Sequence, residues 1–459
     1  MALAATSRRG PGGTAGVETY FIETWGCQMN VLDTQRLEGL LQQHGLRPAG
    51  RAEDADVALL NTCSVREKAV QKVLSRLGEL HGARRAGGKP ATVGLCGCVA
   101  EQEGARLLAR SAVLSFVLGP GRVAQLPAAL DAVAAGRRVS ITGFEPARDY
   151  DAHLIARGNS ARQYVTAIEG CNQHCTFCVV PYTRGRESSR PLREIVREVE
   201  AVAAKGGKEI TLLGQTVNAY RCPATGADFG DLLQAVGEVG AAWRIQFVTS
   251  HPKFFTDRMI DKMAGTPRLG SYLHLPFQAG SDAVLKRMHR GYTREEYLRL
   301  VGQIRTAMPD VTLSTDVIVG FPGETEADFL DTLEVVSAVR FGQLYGFIYS
   351  ARPRTPALGY PGRVARSAAG ERLERLFEAQ SPVQLELNQA LIGRVVEILV
   401  DGPAKRGSEA WQGRGPDNRV VNVQGWPGIA HGQIVQVTIT GATAHSLLGE
   451  ARPEARPGA

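Results

Sequence analysis

The sequence predicts a multidomain α/β protein: an N-terminal domain on a parallel βα sheet, an incomplete barrel of six β/α repeats, and a small C-terminal β-barrel. Two series of apolar strands alternating with helical stretches predict the first two parts, because such alternation is the mark of βαβ units and parallel pairing. Short strands broken by Gly-rich turns near the end of the chain predict the third.

At 459 residues the chain is long enough for several domains, and its 44% hydrophobic content can fill their cores. The net charge of +7 favours an acidic partner, nucleic acid first. No apolar run approaches the ~18 residues of a membrane span. Residues 1–17 carry Arg8, Arg9 and several glycines but no apolar segment, so they read as a disordered tail rather than a secretory signal. The expected location is the cytoplasm, where disulfides are uncommon and metal binding becomes the leading use for eight cysteines.

In residues 18–134, strands are expected over 19–22, 56–60, 92–95 and 113–118, with helices from about Val31, Val65, Ala100 and Val123. Cys27, Cys63 and Cys98 each follow a strand, at the sheet edge where open α/β folds bind ligands. A free cysteine is also a small buried hydrophobe, but three in one topological place outweigh that reading and are expected to converge on one metal. Cys96 competes with Cys98, since strand alternation puts both on one face. Gly97 lets the backbone turn outward, which favours Cys98.

Residues 135–156 read as a connector, and residues 157–387 as the barrel. Its strands are expected over 164–168, 209–213, 245–248, 272–275, 311–319 and 343–348. The first strand leads into Cys171-x-x-x-Cys175-x-x-Cys178, three soft ligands in eight residues. Thiolates select iron–sulfur clusters or zinc, and a structural zinc usually closes with a fourth ligand, so a spare position points to a metal that binds something else. The remaining loops carry Gly214, Gln215 and Asn218, then Ser250 and His251, Gln278, and Glu324. Ordinary turn chemistry explains the glycines but explains Gln215, His251 and Gln278 poorly. Gly214, Gln215, Asn218, Ser250, Gln278 and Glu324 are the candidate pocket for a cosubstrate. Arg184, Arg186 and Arg190 are candidates for binding phosphate or carboxylate, with ordinary salt bridges as the alternative. His174 is an exposed loop residue expected to be a bystander.

A proline-rich linker over 351–361 and a helix over 365–391 precede the small β-barrel, placed at residues 390–454. Strands are expected there over 394–400, 420–423 and 433–440. Lys405, Arg406, Arg414 and Arg419 with Trp411 and Trp426 would suit an RNA surface, joining phosphate neutralisation to stacking.

The Cys171–Cys175–Cys178 spacing, with Phe177 before the last cysteine and a barrel strand ahead of it, resembles the radical S-adenosylmethionine enzymes. Over nearly the whole chain the resemblance is to the radical methylthiotransferases, which join a three-cysteine domain, a radical core and a C-terminal RNA-binding barrel called TRAM, OB-like in form. The carrying stretches are Thr24-Trp25-Gly26-Cys27-Gln28-Met29-Asn30, Asn61-Thr62-Cys63-Ser64-Val65-Arg66-Glu67-Lys68-Ala69, Gly97-Cys98-Val99-Ala100 and Pro181-Tyr182-Thr183-Arg184-Gly185-Arg186-Glu187-Ser188-Ser189-Arg190. The run after Cys63 is similar to the subgroup acting on isopentenylated adenosine of tRNA. Cys96, Cys222 and Thr216 depart from the pattern.

The resemblance implies two [4Fe–4S] clusters, held by Cys171, Cys175 and Cys178 and by Cys27, Cys63 and Cys98, each with an open iron. It implies that S-adenosylmethionine binds the first, near Phe177 and the candidate pocket, and is cleaved by one electron to a 5′-deoxyadenosyl radical. The second cluster would hold the sulfur delivered to carbon 2 of N6-isopentenyladenosine at position 37 of tRNA, beside the anticodon. That carbon has no acidic proton and no leaving group, so a radical route fits the missing acid–base triad. The implied partners are the tRNA anticodon loop, a low-potential flavodoxin or ferredoxin and a sulfur donor, with no membrane and a monomeric chain. The competing expectations are the same chemistry on threonylcarbamoyl-adenosine or a ribosomal protein, and a non-catalytic iron–sulfur RNA-binding protein.

Overall fold

The computed structural model describes residues 17–64, 67–144, 150, 152–158, 160–404 and 410–452, so the expected tail lies largely outside them. They divide into two compact units, one of 17–158 with 170–172 and 178–187, the other of 160–169, 173–177 and 188–452.

The first unit is a parallel sheet. Its strands are β1 (Thr19–Trp25), β2 (Arg47–Pro48), β3 (Val57–Thr62), β4 (Thr92–Gly97), β5 (Phe116–Leu118) and β6 (Val139–Ile141), in the order β2-β1-β3-β4-β5-β6. The helices α1 (Gln28–Gln43), α2 (Glu67–Arg85), α3 (Cys98–Arg110) and α4 (Leu126–Ala134) connect them, and a one-turn helix α5 (Val180–Thr183) lies against α3. Two apolar layers result, one including Tyr20, Leu37, Val57, Leu59 and Phe116, the other Leu60, Val73, Leu77, Leu95 and Val117. Strands β3 and β4 are buried along their whole length, as parallel strands covered on both faces must be. Two short strands were not expected. One of them, β6, lies in the expected connector and pairs with β5; three residues are too few for a periodicity to register.

The register places the site. Trp25 pairs with Thr62 and Thr62 with Gly97, so three neighbouring strands end level. The cysteines just beyond them leave the sheet side by side.

In the second unit β7 (Arg162–Thr166), β10 (Glu209–Leu213) and β11 (Arg244–Phe247) form one parallel sheet in the order β11-β10-β7, and β12 (Tyr272–His274), β13 (Thr312–Val319) and β14 (Gln343–Ile348) another. A two-residue ladder, β8 (Ile168–Glu169) with β9 (Ser188–Ser189), follows β7. Both halves feed one core through Val165, Ile210, Ile245, Leu273, Val317 and Leu344, giving an open arc of six strands rather than a closed barrel. The covering helices are α6 (Leu192–Ala204), α7 (Phe229–Gly237), α8 (Asp257–Ala264), α9 (Asp282–Arg287), α10 (Arg294–Ala307), α11 (Glu326–Val339) and α12 (Arg366–Gln389). Helices α7, α10 and α11 each start with a capping box, at Asp228, Thr293 and Thr325, which satisfies N–H groups that would otherwise lack partners.

The chain ends in a closed five-stranded barrel, β15 (Val395–Pro403), β16 (Ala410–Arg414), β17 (Val420–Gln424), β18 (Ile434–Ala442) and β19 (Leu447–Ala451), in the order β15-β16-β17-β19-β18. Strands β16 and β19 were not expected, since Ala-Trp-Gln-Gly-Arg and Leu-Leu-Gly-Glu-Ala are poor in β-branched residues. This barrel is fixed to the core's strand starts. Glu209 sits between Arg162 and Arg244 across three strands, Arg162 reaches Asp401 at 2.9 Å, and Arg244 and Gln246 donate to the carbonyls of Arg414 and Pro416 at 3.0 and 2.9 Å. No helix among the described residues is long and apolar enough to cross a membrane.

One carboxylate ties the start of β1 to the start of β3. Asp56 accepts from the Glu18 and Thr19 amides at 2.9 and 3.0 Å, and Lys89 approaches at 2.7 Å. Burial pushes its pKa up, but Lys89 and those donors outweigh burial and hold it at about 2. A depressed carboxylate contributes stability above its unfolded pKa and loses it as pH falls through the folded one. Asp56→Asn is expected to cost about 1–2 kcal/mol at neutral pH. In urea unfolding across pH, the gap to wild type should narrow below about pH 4 and close near pH 2.

Candidate metal centre

Cys27 caps the N-terminus of α1, Cys98 is the first residue of α3, and Cys63 follows β3 with its amide bonded to the Trp25 carbonyl at 2.9 Å. Helix N-termini favour thiolates. A hydrogen bond with Cys63 brings Cys27 down to about 6 against the pull of burial, aided by the Arg184 charge and the amides of Asn30 and Met29. Burial pushes Cys98 up, and Arg184 opposes it. Cys96 packs in the apolar layer with Leu118 and Val123, where burial raises its pKa further.

The residues around the trio explain the sequence stretches that carry it. Asn61 donates to the Asn30 carbonyl at 2.8 Å and to Thr34 Oγ1 at 2.9 Å, while Asn30 Nδ2 lies 3.3 Å from Asn61 Oδ1, so two buried amides tie the first loop to the second. Gly97 has φ +86°, and a Cβ there would lie 2.5 Å from Asn61 Oδ1 and from the Thr62 carbonyl. Only glycine fits.

Arg184 takes the ion-pair alternative: it is buried, 5% exposed, and its guanidinium bonds Asp33 Oδ2 at 2.6 Å beside Cys27 and Cys98. Arg190 is likewise buried, bonded to Glu198 at 2.5 Å and to the Thr166 carbonyl at 2.9 Å. Arg186 alone of the three is exposed. Asp33 carried no signal in the sequence, because an acid six residues after Cys27 looks like any helical acid.

In the second thiol set, Cys171 and Cys178 belong to the first unit and Cys175 to the second. The Cys171 amide bonds the Gly185 carbonyl at 3.0 Å, and Gly170, at φ +76°, lets the backbone approach Arg186. Cys175 receives a hydrogen bond from Arg290 Nη1 at 3.4 Å. Arg290 is 5% exposed and also bonds Tyr292 Oη and the Pro276 carbonyl, each at 3.0 Å. Its positive charge is held through Tyr292 and Cys175 despite burial. His174 is exposed. Among the described residues no three His, Cys, Asp or Glu side chains are gathered to hold one ion; a cluster makes no such demand, since each thiolate binds its own iron.

The loops of the six-stranded arc divide the expected pocket into two kinds of residue. Both amide atoms of Gln215 and Oε1 of Gln278 are buried without a hydrogen-bond partner, and so is Nε2 of His251. Gln278 also has φ +71°. Buried polar atoms are rarely left unpaired, so these atoms could meet a polar ligand or water. His251 Nδ1 accepts from the Lys253 amide at 3.2 Å, and burial, with the Arg290 and Lys253 charges, lowers its pKa to about 2. The ring is therefore neutral and carries its proton on Nε2. The other residues are occupied. Asn218 bonds the His251 carbonyl at 3.0 Å and its amide at 2.9 Å, Ser250 donates to the His274 carbonyl, and Gly214 lets the loop pass Ile168, whose Cγ2 would lie 2.5 Å from an added Cβ. Glu324 accepts from the Gly320 amide at 2.6 Å and from Arg372 at 2.7 Å. Phe177 packs beside Met288 and Phe321.

One further group had no sequence signal. Tyr345 and Phe347 share a face of β14 and stay 39% and 46% exposed, while Gly346 between them turns to α12, where a Cβ would meet Leu373 at 2.6 Å. The same face of β13 carries Asp316, level with Tyr345, and His274 of β12 lies 3.3 Å from Asp316 and edge-on to Tyr345.

The residues expected on an RNA surface are used otherwise. Arg419 bonds Asn388 at 2.8 Å and Thr312 at 3.1 Å, Arg414 bonds Asn418 at 3.0 Å, and Trp411 and Trp426 pack in the barrel core. Lys405 and Arg406 lie outside the described residues.

Family models match three segments: the Radical SAM superfamily at residues 165–336, Uncharacterized protein family UPF0004 at 19–119 and the TRAM domain at 389–451. A protein of Burkholderia thailandensis named tRNA-2-methylthio-N(6)-dimethylallyladenosine synthase is 42% identical over 442 residues, covering 94% of this chain and 96% of its own. The chain belongs to the family of these synthases. Proteins of the same name from Syntrophobacter fumaroxidans and Chromobacterium violaceum are each 43% identical, over 95% of this chain and 96% and 99% of theirs. Among solved structures, the radical S-adenosylmethionine methyltransferase TsrM from Kitasatospora setae aligns with a TM-score of 0.53 at 17% identity, covering 74% of each chain, a likeness of fold.

Glu324 was expected in the cosubstrate pocket, yet both its partners are protein groups, and burial holds its pKa up against Arg372. Glu324→Gln is expected to lower stability by about 3 kcal/mol, as breaking a buried pair does. Equilibrium dialysis of the folded variant should give unchanged S-adenosylmethionine affinity; a loss of affinity at unchanged stability would return Glu324 to the pocket.

Proposed function

We propose that this chain methylthiolates carbon 2 of N6-isopentenyladenosine at position 37 of tRNA, giving 2-methylthio-N6-isopentenyladenosine. The observation that carries the reading is the trio of Cys27, Cys63 and Cys98 at level strand ends, two of them at helix N-termini, in a chain of this family with a second thiol set at Cys171, Cys175 and Cys178. Each trio fits a [4Fe–4S] cluster in donor chemistry, three thiolates leaving one iron free. Cys171, Cys175 and Cys178 would hold a cluster that supplies an electron for cleaving bound S-adenosylmethionine, and Cys27, Cys63 and Cys98 would hold one that supplies sulfur.

The protein's own work is to bind, orient and exclude water. Gln215, Gln278 and the Nε2–H of His251 are assigned to the polar groups of S-adenosylmethionine, because each otherwise leaves a buried atom unpaired. Asn218 and Ser250 hold those loops through backbone bonds, and Phe177 and Gly214 shape the wall. Tyr345 and Phe347 are assigned to stack the splayed adenine, with Asp316 and His274 beside its polar edge. The electron comes from a low-potential flavodoxin or ferredoxin and the inserted sulfur from a separate donor. The protein acts in the cytoplasm as a monomer. Functional boundaries are assigned at residues 18–134, 157–387 and 390–454.

The test is anaerobic reconstitution with dithionite, S-adenosylmethionine and an isopentenylated anticodon stem-loop, followed by nucleoside analysis. The 2-methylthio nucleoside should form, and Cys27→Ala should abolish it while 5′-deoxyadenosine is still released. Total tRNA from a strain lacking the gene should lack this nucleoside; unchanged levels would sink the proposal in favour of another acceptor. Tyr345→Ala or Phe347→Ala should raise KM for the stem-loop roughly tenfold, the worth of one base stack, and leave substrate-free release of 5′-deoxyadenosine unaltered.

A further inference from the structure

Each thiol set has a buried arginine against it, and the two arginines are balanced differently. Arg184 lies beside Cys27 and Cys98 but is paired with the buried carboxylate of Asp33, at 4% side-chain exposure, so the pair brings little net charge. Arg290 touches Cys175 Sγ, and its other bonds go to the neutral Tyr292 hydroxyl and the Pro276 carbonyl. Among the described residues no carboxylate comes within ion-pair distance of it. An isolated buried guanidinium is costly, and it persists only where a negative group offsets it. The group that meets it is Cys175 Sγ, which would carry negative charge as a metal ligand.

We infer that Arg290 and the Arg184–Asp33 pair are positioning residues that set the reduction potentials of two clusters independently, Arg290 as an unbalanced positive charge and Arg184 as a balanced one. The inference rests on the reading that both thiol sets hold [4Fe–4S] clusters. Its physical basis is that adding an electron makes a cluster more negative, so a fixed cation nearby favours the reduced form and a fixed anion disfavours it. Hydrogen bonds to sulfur act in the same direction. The effect is strong because burial removes the water that would screen it. Asp33 therefore works against Arg184, whereas nothing of the kind works against Arg290.

The signs of four substitutions follow. Arg290→Gln removes the cation and should make the Cys171/Cys175/Cys178 cluster harder to reduce. Arg290→Lys keeps the charge and should leave its potential nearly unchanged. Arg184→Gln should make the Cys27/Cys63/Cys98 cluster harder to reduce, and Asp33→Asn should make it easier. The opposite signs at Arg184 and Asp33 matter, because general damage to the site would not move the potential in both directions.

The experiment is an EPR-monitored dithionite titration of reconstituted full-length protein in two backgrounds. In one, Cys27, Cys63 and Cys98 are replaced by alanine; in the other, Cys171, Cys175 and Cys178. Arg290→Gln should lower the midpoint in the first background and Arg290→Lys should not; Arg184→Gln should lower it and Asp33→Asn raise it in the second. Signals present with midpoints that do not move, or that move with the same sign for Arg184→Gln and Asp33→Asn, would overturn the inference. No reducible signal in either background would instead overturn the two-cluster reading beneath it.

Discussion

The arrangement depends on a problem of buried charge. Three cysteines leave a sheet edge side by side, and as thiolates they would be expensive in so buried a place unless positive groups met them. The first unit supplies these in two forms. The Met29 and Asn30 amides at the start of α1 meet Cys27, Cys98 is the first residue of α3, and the Arg184 guanidinium lies beside both cysteines. Arg184 in turn is held by Asp33, and the loops are held level by the Asn30–Asn61 bonds and by a glycine at position 97 that nothing larger can replace. The cysteines are thus the visible part of a larger buried polar set.

The second unit solves a different problem. Its six strands point their carboxyl ends at a group of loops whose backbone is tied down by Asn218, Ser250 and Glu324. In the same loops Gln215, Gln278 and His251 keep buried polar atoms unpaired. The bonds that brace the loops come from one set of residues and the unpaired polar atoms from another, which a sequence scan of polar loop residues does not separate. At the opposite end of the strands, the Arg162–Glu209–Arg244 row joins the C-terminal barrel, and Arg419, expected on an RNA surface, bonds Asn388 and Thr312 there.

Much of this was legible in the chain. The alternation of strands and helices gave the parallel sheets, and the position of Cys27, Cys63 and Cys98 after three successive strands gave their place at one sheet edge, because parallel strands send their carboxyl ends to one edge. What stayed hidden shares a physical cause. Arg184 lies far along the chain from Asp33, and its pairing depends on tertiary folding that no local pattern encodes. Arg290 follows an ordinary helix end, and only its burial against Cys175 makes it unusual. Tyr345 and Phe347 look like alternate residues of any half-buried strand, and their exposure becomes visible only once Gly346 is seen turned to α12. Strands β16 and β19 escaped notice because barrel closure, rather than propensity, holds them.

The central claim is that the two thiol sets bind metal independently of one another. The direct measurement is iron content with Mössbauer spectra of anaerobically reconstituted wild type, of the Cys27/Cys63/Cys98→Ala protein and of the Cys171/Cys175/Cys178→Ala protein. The account predicts about four irons per chain in each triple variant, about eight in the wild type, and a wild-type spectrum that is the sum of the other two. Iron that disappears entirely from either variant, or that is unchanged in one of them, would contradict it.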